Sequence, residues 1–153
     1  MKKSIKIVGL WLLVVSIMTS SVAFANNEIK VAVDGEYVEF DVKPQIINGR
    51  TMVPLRAIFE ALGAEVDWES YTQTVIAIKD DIRVTATIGK TKMYINDEVR
   101  TMDVAPKIIG GRTMVPVRFV AEAFECEVDW DQEEKIVYIY ETYGYDEVPD
   151  IQE

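Results

Sequence analysis

Hydrophobic and polar residues alternate in several short runs, and the alternation predicts β-strands. Apolar residues recur at alternate positions in 29–33 and 36–40, on either side of Asp34-Gly35, an arrangement typical of a β-hairpin with a two-residue turn. Strict alternation in 65–68 and 127–130 places a valine and a tryptophan on one face of a strand and the carboxylates on the other. Short turns between such strands favour antiparallel pairing.

Two segments instead carry the spacing of an amphipathic helix. Apolar residues stand at positions i, i+3, i+4 and i+7 in each segment: Leu55, Ile58, Phe59 and Leu62, and Val117, Val120, Ala121 and Phe124. Pro54 and Pro116 precede these stripes and preset the first helical turn. Gly63 suits the end of the first helix, whereas Glu125 stands at that place in the second, whose end we expect to be less sharply terminated.

The chain contains an internal duplication. Residues 33–78 align with 95–140 at a constant offset of 62, and 20 of the 46 aligned positions are identical. The patterns predict an α+β fold, in which an antiparallel β-sheet packs against two amphipathic helices and the domain is built from two pseudo-symmetric repeats. No Pro/Gly/Ser-rich linker separates the copies, which indicates one domain rather than two.

Each copy contains a tight turn inside its most similar stretch. Asn48-Gly49 and Gly110-Gly111 would supply the positive-φ residues that such a turn requires. The strand expected at 82–88 has no equivalent after Tyr140. We therefore expect the second copy to leave a strand edge open, through which two chains could pair as a homodimer.

The N-terminal segment has the pattern of a secretory signal. Three lysines precede an apolar run over 7–18, and Ala23-Phe24-Ala25 is a cleavage pattern, so 1–25 is predicted to be a signal peptide. The apolar run is shorter than the roughly 20 residues that span a bilayer, although a retained anchor stays an alternative. The predicted organisation continues with a stalk-type domain over 26–140 and an acidic, mobile tail over 141–153, with no membrane span after signal cleavage.

Charge and residue types exclude several functions. Removal of the signal leaves 13 basic and 26 acidic side chains, a formal charge of −13, which argues against nucleic-acid partners. The chain contains no histidine, so an imidazole copper or zinc site and a Ser-His-Asp triad cannot form, and we expect no metal site and no cofactor. Cys126 is the single cysteine, expected to be a buried inert thiol, with a covalent dimer as the alternative.

Acidic side chains offer two further kinds of chemistry. A glycosidase could use paired carboxylates, for which the candidates are Asp67, Glu69, Asp129 and Asp131. Their repetition on the polar side of alternating strands is better explained as a solvated face. A calcium site could draw on Asp129, Asp131, Glu133 and Glu134, but the spacing lacks the loop order of an EF-hand.

The candidate binding residues are four arginines and several aromatic side chains. Both copies keep the arginine pair, Arg50 with Arg56 and Arg112 with Arg118. The arginines could clamp an acidic group of a wall polymer or partner, or form internal clamps, for which the recurring acids are Asp41, Asp103, Glu60 and Glu122. Internal clamps are favoured because both members of the pairs are duplicated together.

Aromatic residues offer a second type of binding surface. Trp68 and Trp130 could stack on sugar rings, but their alternation with valines favours core packing. Tyrosines late in the chain could form an aromatic binding strip, and with Tyr71 they are expected near the surface: Tyr138, Tyr140, Tyr143 and Tyr145. Tyr138 and Tyr140 are the two that we select as candidate binding residues.

The repeated Gly-Arg-Thr-Met-Val-Pro-x-Arg stretch, the helix and the Val-x-Trp strand resemble the copper amine oxidase N-terminal domain-like, or stalk domain, family. The residues that carry the resemblance are Gly49, Pro54, Trp68, Gly111, Pro116 and Trp130. The resemblance covers about 29–140 and implies an α+β fold with a non-catalytic role in exported and cell-wall proteins of Gram-positive bacteria. Oxidase activity does not carry over, because the catalytic domain and its histidines are absent.

The sequence therefore predicts an exported, cell-wall associated accessory module without catalytic activity. Its expected partners are a cell-wall polysaccharide or peptidoglycan, or an extracellular protein. A self-assembling, homodimeric structural domain is the alternative, and a carboxylate-based hydrolase is a third.

Overall fold

The computed structural model describes residues 28–142, and this part of the chain is mostly β-sheet with two short helices, compatible with an α+β class. The predicted signal and all but the first two residues of the tail lie outside the described residues. In chain order the elements are β1 (Lys30–Val33), β2 (Glu36–Tyr37), β3 (Gln45–Ile47), β4 (Arg50–Pro54), α1 (Leu55–Ala61), β5 (Glu65–Glu69), β6 (Thr74–Lys79), β7 (Ile82–Thr87), β8 (Lys92–Ile95), β9 (Glu98–Thr101), β10 (Lys107–Ile109), β11 (Arg112–Pro116), α2 (Val117–Glu122), β12 (Cys126–Asp131) and β13 (Ile136–Glu141). None of the helices between residues 28 and 142 has the length and hydrophobicity needed to cross a membrane.

The tight turns have the backbone that the sequence requires. Asn48 and Gly49 have φ angles of 51° and 72°, and Gly110 and Gly111 have φ angles of 57° and 78°. Each pair links two strands directly, as a two-residue turn with positive φ at both positions does. Gly110 has a second constraint, since a Cβ there would lie 2.9 Å from a methyl carbon of Val42.

The strands form three sheets rather than the single antiparallel sheet that the sequence predicts. Sheet 1 has the order β5-β6-β7-β8-β9, sheet 2 the order β12-β13-β1-β2, and sheet 3 the order β10-β11-β4-β3. The pairings are antiparallel except that β1 runs parallel to β13. Turn length constrains only strands that are adjacent in the chain, and β1 and β13 come from opposite ends of the described region, so no turn fixes their direction.

Sheets 1 and 2 each combine strands from both halves of the chain. The hairpin β1-β2 extends the pair β12-β13, while the hairpin β8-β9 is joined to β5-β6 through β7. The expectation of an open edge after Tyr140 is therefore wrong, because β1 occupies the free edge of β13. Sheet 3 joins the halves directly: β4 and β11 are antiparallel, and Val53 lies opposite Val115, which is 62 positions later.

One hydrophobic core connects the helices to all three sheets. Phe59 of α1 and Phe124, just after α2, meet edge to face with ring centroids 4.9 Å apart. Both rings belong to the same buried cluster as Val53 and Val115. Burial of large aromatic side chains contributes strongly to stability, so the contact between the two helical segments is a central part of the core.

The chain leaves the two helical segments through similar backbone geometry. Gly63 has a φ of 81° and Glu125, at the equivalent position, has a φ of 59°. The N–H groups of both residues donate to carbonyl oxygens of the preceding helical turn, those of Glu60 and Glu122. Contrary to expectation, the second helical segment ends as sharply as the first, although Glu125 is not a glycine. The left-handed conformation of a residue with a Cβ lowers the free energy of unfolding by about 1–2 kcal/mol.

Candidate functional site

The repeated turn arginines form ion pairs that cross between the halves of the chain. Arg50 is hydrogen bonded to Asp103 in the second half, and Arg112 is hydrogen bonded to Asp41 in the first. The hydrogen bond from Arg112 holds the pKa of Asp41 below its usual value. These contacts are the internal clamps weighed from the sequence, although all four side chains remain exposed.

The helix arginines, in contrast, are used differently in the two halves. Arg56 Nη1 donates to the carbonyl oxygen of Val66 at 2.6 Å and lies 3.4 Å from Glu60. Arg118 occupies the same place in α2, is exposed, and forms neither an ion pair nor a hydrogen bond with another described residue. Its guanidinium is therefore free to contact a ligand.

Two grooves lie on the surface, and each is lined by residues from both halves of the chain. The first, which we call the Trp130 groove, encloses about 530 Å³. Its lining combines the turn of the first half with the helix start and β12 of the second: Gly49, Arg50, Thr51, Asp103, Pro116, Val117, Arg118, Phe119, Val128, Asp129, Trp130 and Val137. The groove therefore contains two of the candidate arginines, Arg50 and Arg118.

The second groove, the Trp68 groove, is built from corresponding positions with the halves exchanged. It encloses about 790 Å³. The lining residues are Asp41, Pro54, Leu55, Arg56, Ala57, Glu60, Val66, Trp68, Val75, Ile108, Gly111, Arg112 and Thr113. Both volumes lie in the range of about 300–1,000 Å³ that is typical of ligand pockets in proteins.

The tryptophans differ from their expected place in the core. Trp68 is 38% exposed and Trp130 is 37% exposed. Alternation predicts the correct face of each strand, since Trp68 lies opposite the buried Val75 of the next strand and Trp130 lies opposite the buried Val137. However, β5 and β12 are edge strands, so part of each indole ring lies beyond the covered area of the sheet and lines a groove.

A smaller cavity adjoins the Trp130 groove, and we call it the Tyr140 cavity. It encloses about 460 Å³. Its lining consists of Arg118, Glu122, Cys126, Glu127, Val128, Asp129 and Tyr140. Arg118, Val128 and Asp129 line both cavities, so Arg118 and Tyr140 are close together although they were selected from the sequence separately.

The tyrosines of sheet 2 form part of the expected aromatic strip. Tyr138 and Tyr140 stack with ring centroids 6.1 Å apart and an interplanar angle of 12°. Desolvation and the nearby Tyr37 raise the pKa of Tyr138. Sequence reasoning missed Tyr37, because β2 reaches this sheet only through the pairing of β1 with β13. Tyr71 is 96% exposed.

Tyr143 and Tyr145, the other two members of the expected strip, lie outside the described residues.

The candidate acids have structural partners or stand on the exposed side of their strands. Asp131 accepts hydrogen bonds from the backbone N–H groups of Glu133 and Glu134, and Glu69 accepts one from the N–H of Tyr71. No group of three or more histidine, cysteine or acidic side chains between residues 28 and 142 could hold a metal ion. The side chains in this part of the chain therefore do not provide the ligands of a copper site.

Cys126 is buried at the start of β12. Burial, reinforced by the negative charge of Glu141, raises the pKa of its thiol to about 11. Since the thiolate is the reactive form of cysteine, the side chain is poorly suited to nucleophilic or redox chemistry.

The described part of the chain is thus a small β-rich module that carries two related surface grooves. The copper amine oxidase N-terminal domain profile matches residues 32–139. The chain belongs to this family, and the resemblance drawn from the repeated motif is confirmed.

The chain is also similar to a curated protein. The chain is 32% identical over 107 residues to a protein named "Protease inhibitor" from Brevibacillus choshinensis. The match covers 67% of this chain and 32% of the relative, so the chain corresponds to about a third of that protein's length.

Proposed function

We propose that this chain is an exported, non-catalytic accessory module of the cell wall or cell surface, and that it binds a wall polymer or a partner protein. The observation that carries the proposal is the pair of grooves, each with a partly exposed tryptophan beside arginine and carboxylate side chains. Membership of an N-terminal, non-catalytic domain family supports an accessory role. The signal-like N-terminal segment supports export.

The groove chemistry favours binding over catalysis. Aromatic residues and arginine are enriched where proteins bind ligands or partners, because both combine large contact area with directed polar contacts. Two of the four candidate hydrolase acids already accept hydrogen bonds from the backbone: Asp131 from the N–H groups of Glu133 and Glu134, and Glu69 from the N–H of Tyr71. The duplicated architecture then serves as a scaffold that presents two related binding surfaces.

A co-sedimentation assay with purified Gram-positive sacculi tests the proposal. The chain is produced in a bacterial host that processes its N-terminal segment, and the mature protein is compared with a Trp68→Ala/Trp130→Ala variant. Retention of the native protein and loss of the variant are expected. Tyr71→Ala is the matched control, because Tyr71 is 96% exposed and lines neither groove.

Circular dichroism and thermal unfolding must show that each variant is folded. If the native protein does not sediment with sacculi, wall-polymer binding is excluded and a protein partner becomes the function to test. Equal retention of all three proteins would place the binding surface outside the grooves.

A protease is a second candidate partner, because a relative with 32% identity carries the name "Protease inhibitor". Incubation of the chain with secreted serine, cysteine and metalloproteases tests this candidate. Dose-dependent loss of peptidase activity would support it, whereas unchanged activity across the three classes would remove it.

A further inference from the structure

The two grooves contain corresponding residues but differ in the state of one arginine. Arg56 of the Trp68 groove donates to the Val66 carbonyl at 2.6 Å and also contacts Glu60. Arg118 of the Trp130 groove has neither contact, although Val128 and Glu122 stand at the corresponding positions. A guanidinium has five N–H donors and no acceptor, so Arg118 lines its groove with unused donors.

The tryptophans differ as well. The indole N–H of Trp130 donates to Gln132 Oε1 at 3.0 Å. Ser70 stands at the position equivalent to Gln132, and Trp68 forms no hydrogen bond with another described residue. This hydrogen bond favours one orientation of the Trp130 ring, and such pre-organisation reduces the entropy lost on binding.

A third difference lies beside the groove. The Tyr140 cavity adjoins the Trp130 groove, but Tyr140 pairs with Glu127 whereas Trp130 pairs with Val137, so Tyr140 lies on the other face of sheet 2. The equivalent of Tyr140 in the first half is Ile78, which cannot offer an aromatic face or a hydroxyl group. The second half therefore carries an aromatic ring on each face of sheet 2, and of these two rings only Trp130 lines the groove that contains Arg50 and Arg118.

The charges of this surface indicate the ligand. Arg50 is neutralised by Asp103, and Arg118 shares its surroundings with three carboxylates, those of Asp129, Glu122 and Glu127. A surface without excess positive charge does not attract an anionic polymer. Hydroxyl groups, in contrast, can accept hydrogen bonds from Arg118 and donate to Asp129 at the same time.

We infer that the Trp130 groove is a binding site for an uncharged polysaccharide, with a sugar ring of the polymer against Trp130. This inference rests on the proposed function and names the ligand class of one of its two grooves. The apolar face of the sugar ring contacts the indole ring of Trp130, while Arg118 and Asp129 bond the hydroxyl groups at the edge of the sugar ring. The Trp68 groove, with its arginine already bonded, does not take part.

Calorimetric titration with uncharged tetrasaccharides tests the inference. The panel contains β-linked glucose, β-linked N-acetylglucosamine, α-linked glucose and α-linked mannose, and polygalacturonate serves as the anionic probe. Binding of at least one tetrasaccharide is expected, and polygalacturonate is not expected to bind. Trp130→Ala and Arg118→Ala should each lower the affinity at least tenfold.

The chain offers matched controls at the corresponding positions. Trp68→Ala and Arg56→Ala should leave the affinity within twofold of the native value. Arg118→Ala removes no hydrogen bond or ion pair among the described residues and is expected to fold, so it remains informative if Trp130→Ala does not fold. An equal loss in both sets of variants, or no binding to any tetrasaccharide, would overturn the inference.

The same variants separate this inference from the proposed function. Native protein that sediments with sacculi but binds no uncharged tetrasaccharide refutes only the ligand class. Native protein that fails to sediment refutes wall-polymer binding, even if a tetrasaccharide binds in solution.

Discussion

Lys79 and Glu141 form an ion pair between the last residues of β6 and β13, two positions that are 62 residues apart. Their side chains are 22% and 25% exposed, less than in any other ion pair among the described residues. The pair joins equivalent positions of the two halves, as the pairing of Val53 with Val115 does in sheet 3. The halves therefore contact each other at both sites through residues separated by the repeat offset.

The Lys79–Glu141 pair should contribute to stability in a pH-dependent way. Desolvation lowers the pKa of Lys79, but the hydrogen bond and charge of Glu141 outweigh it, and the pKa lies above the usual 10.5. A raised folded-state pKa stabilises the native protein fully below 10.5, and this stabilisation is lost as the pH rises through the folded pKa. Urea unfolding below and above this pH should show a smaller alkaline loss in Lys79→Met than in the native protein.

A double-mutant cycle with Lys79→Met and Glu141→Gln checks the same pair at neutral pH. We expect a coupling free energy of about 1 kcal/mol, as for a partly buried charged hydrogen bond. Coupling near zero would show that the two side chains do not interact in solution.

The clamp between Arg112 and Asp41 predicts a site-specific titration. Because the hydrogen bond from Arg112 lowers the pKa of Asp41, Arg112→Gln should return that pKa toward 3.8. The native interaction stabilises the fold above this value and is lost as the pH falls through the lowered pKa. Carboxyl-carbon NMR measures the titration, and Arg50→Gln, which removes the other clamp, should leave Asp41 unchanged.

The backbone conformation of Glu125 predicts that a glycine at this position would stabilise the fold. Its φ of 59° is unfavourable for a side chain with a Cβ, whereas glycine adopts it readily. Glu125→Gly should raise the free energy of unfolding by about 1 kcal/mol. The reverse change at the equivalent position, Gly63→Glu, should lower it by a similar amount, because a Cβ at Gly63 meets no atom within 4 Å and only the backbone conformation is penalised.

Chemical denaturation measures both changes, and Glu127→Gly, inside β12, is a suitable contrast. Glycine in a strand interior weakens the strand, so this variant should be less stable than the native protein. A loss of stability in Glu125→Gly would contradict the proposed backbone cost.

Cys126 should be unreactive in the native protein. Its burial and a thiol pKa of about 11 leave little thiolate at neutral pH. A thiol reagent such as dithionitrobenzoate should label the chain only after unfolding. Rapid labelling without denaturant, or a disulfide-linked dimer on a non-reducing gel, would contradict this expectation.

The structural features that could be predicted from the sequence are those that depend on residues close together in the chain. Two-residue turns follow from local backbone preferences, and the buried stripe from Leu55 to Leu62 follows from helical spacing. The duplicated motif was specific enough to identify the family, because it combines a turn, a proline and an arginine at fixed spacing.

Strand pairings and side-chain contacts between distant segments could not be predicted from the sequence in the same way. Nothing local indicates that β1 pairs with β13, and this pairing closes the expected open edge and brings Tyr37 to sheet 2. The exposure of Trp68 and Trp130 depends on their strands being at sheet edges, which alternation cannot show. The different states of Arg56 and Arg118 depend on side-chain contacts of residues that the sequence presents as equivalent.

The parallel pairing of β1 with β13 determines how the domain would respond to mechanical tension. The chain enters β1 at Lys30 and leaves β13 at Glu141, and these residues lie at opposite ends of the paired strands. A pulling force on the two ends therefore slides the strands along each other and loads their hydrogen bonds together, instead of opening them one after another. A module connected at both ends would resist extension through this one pair of strands.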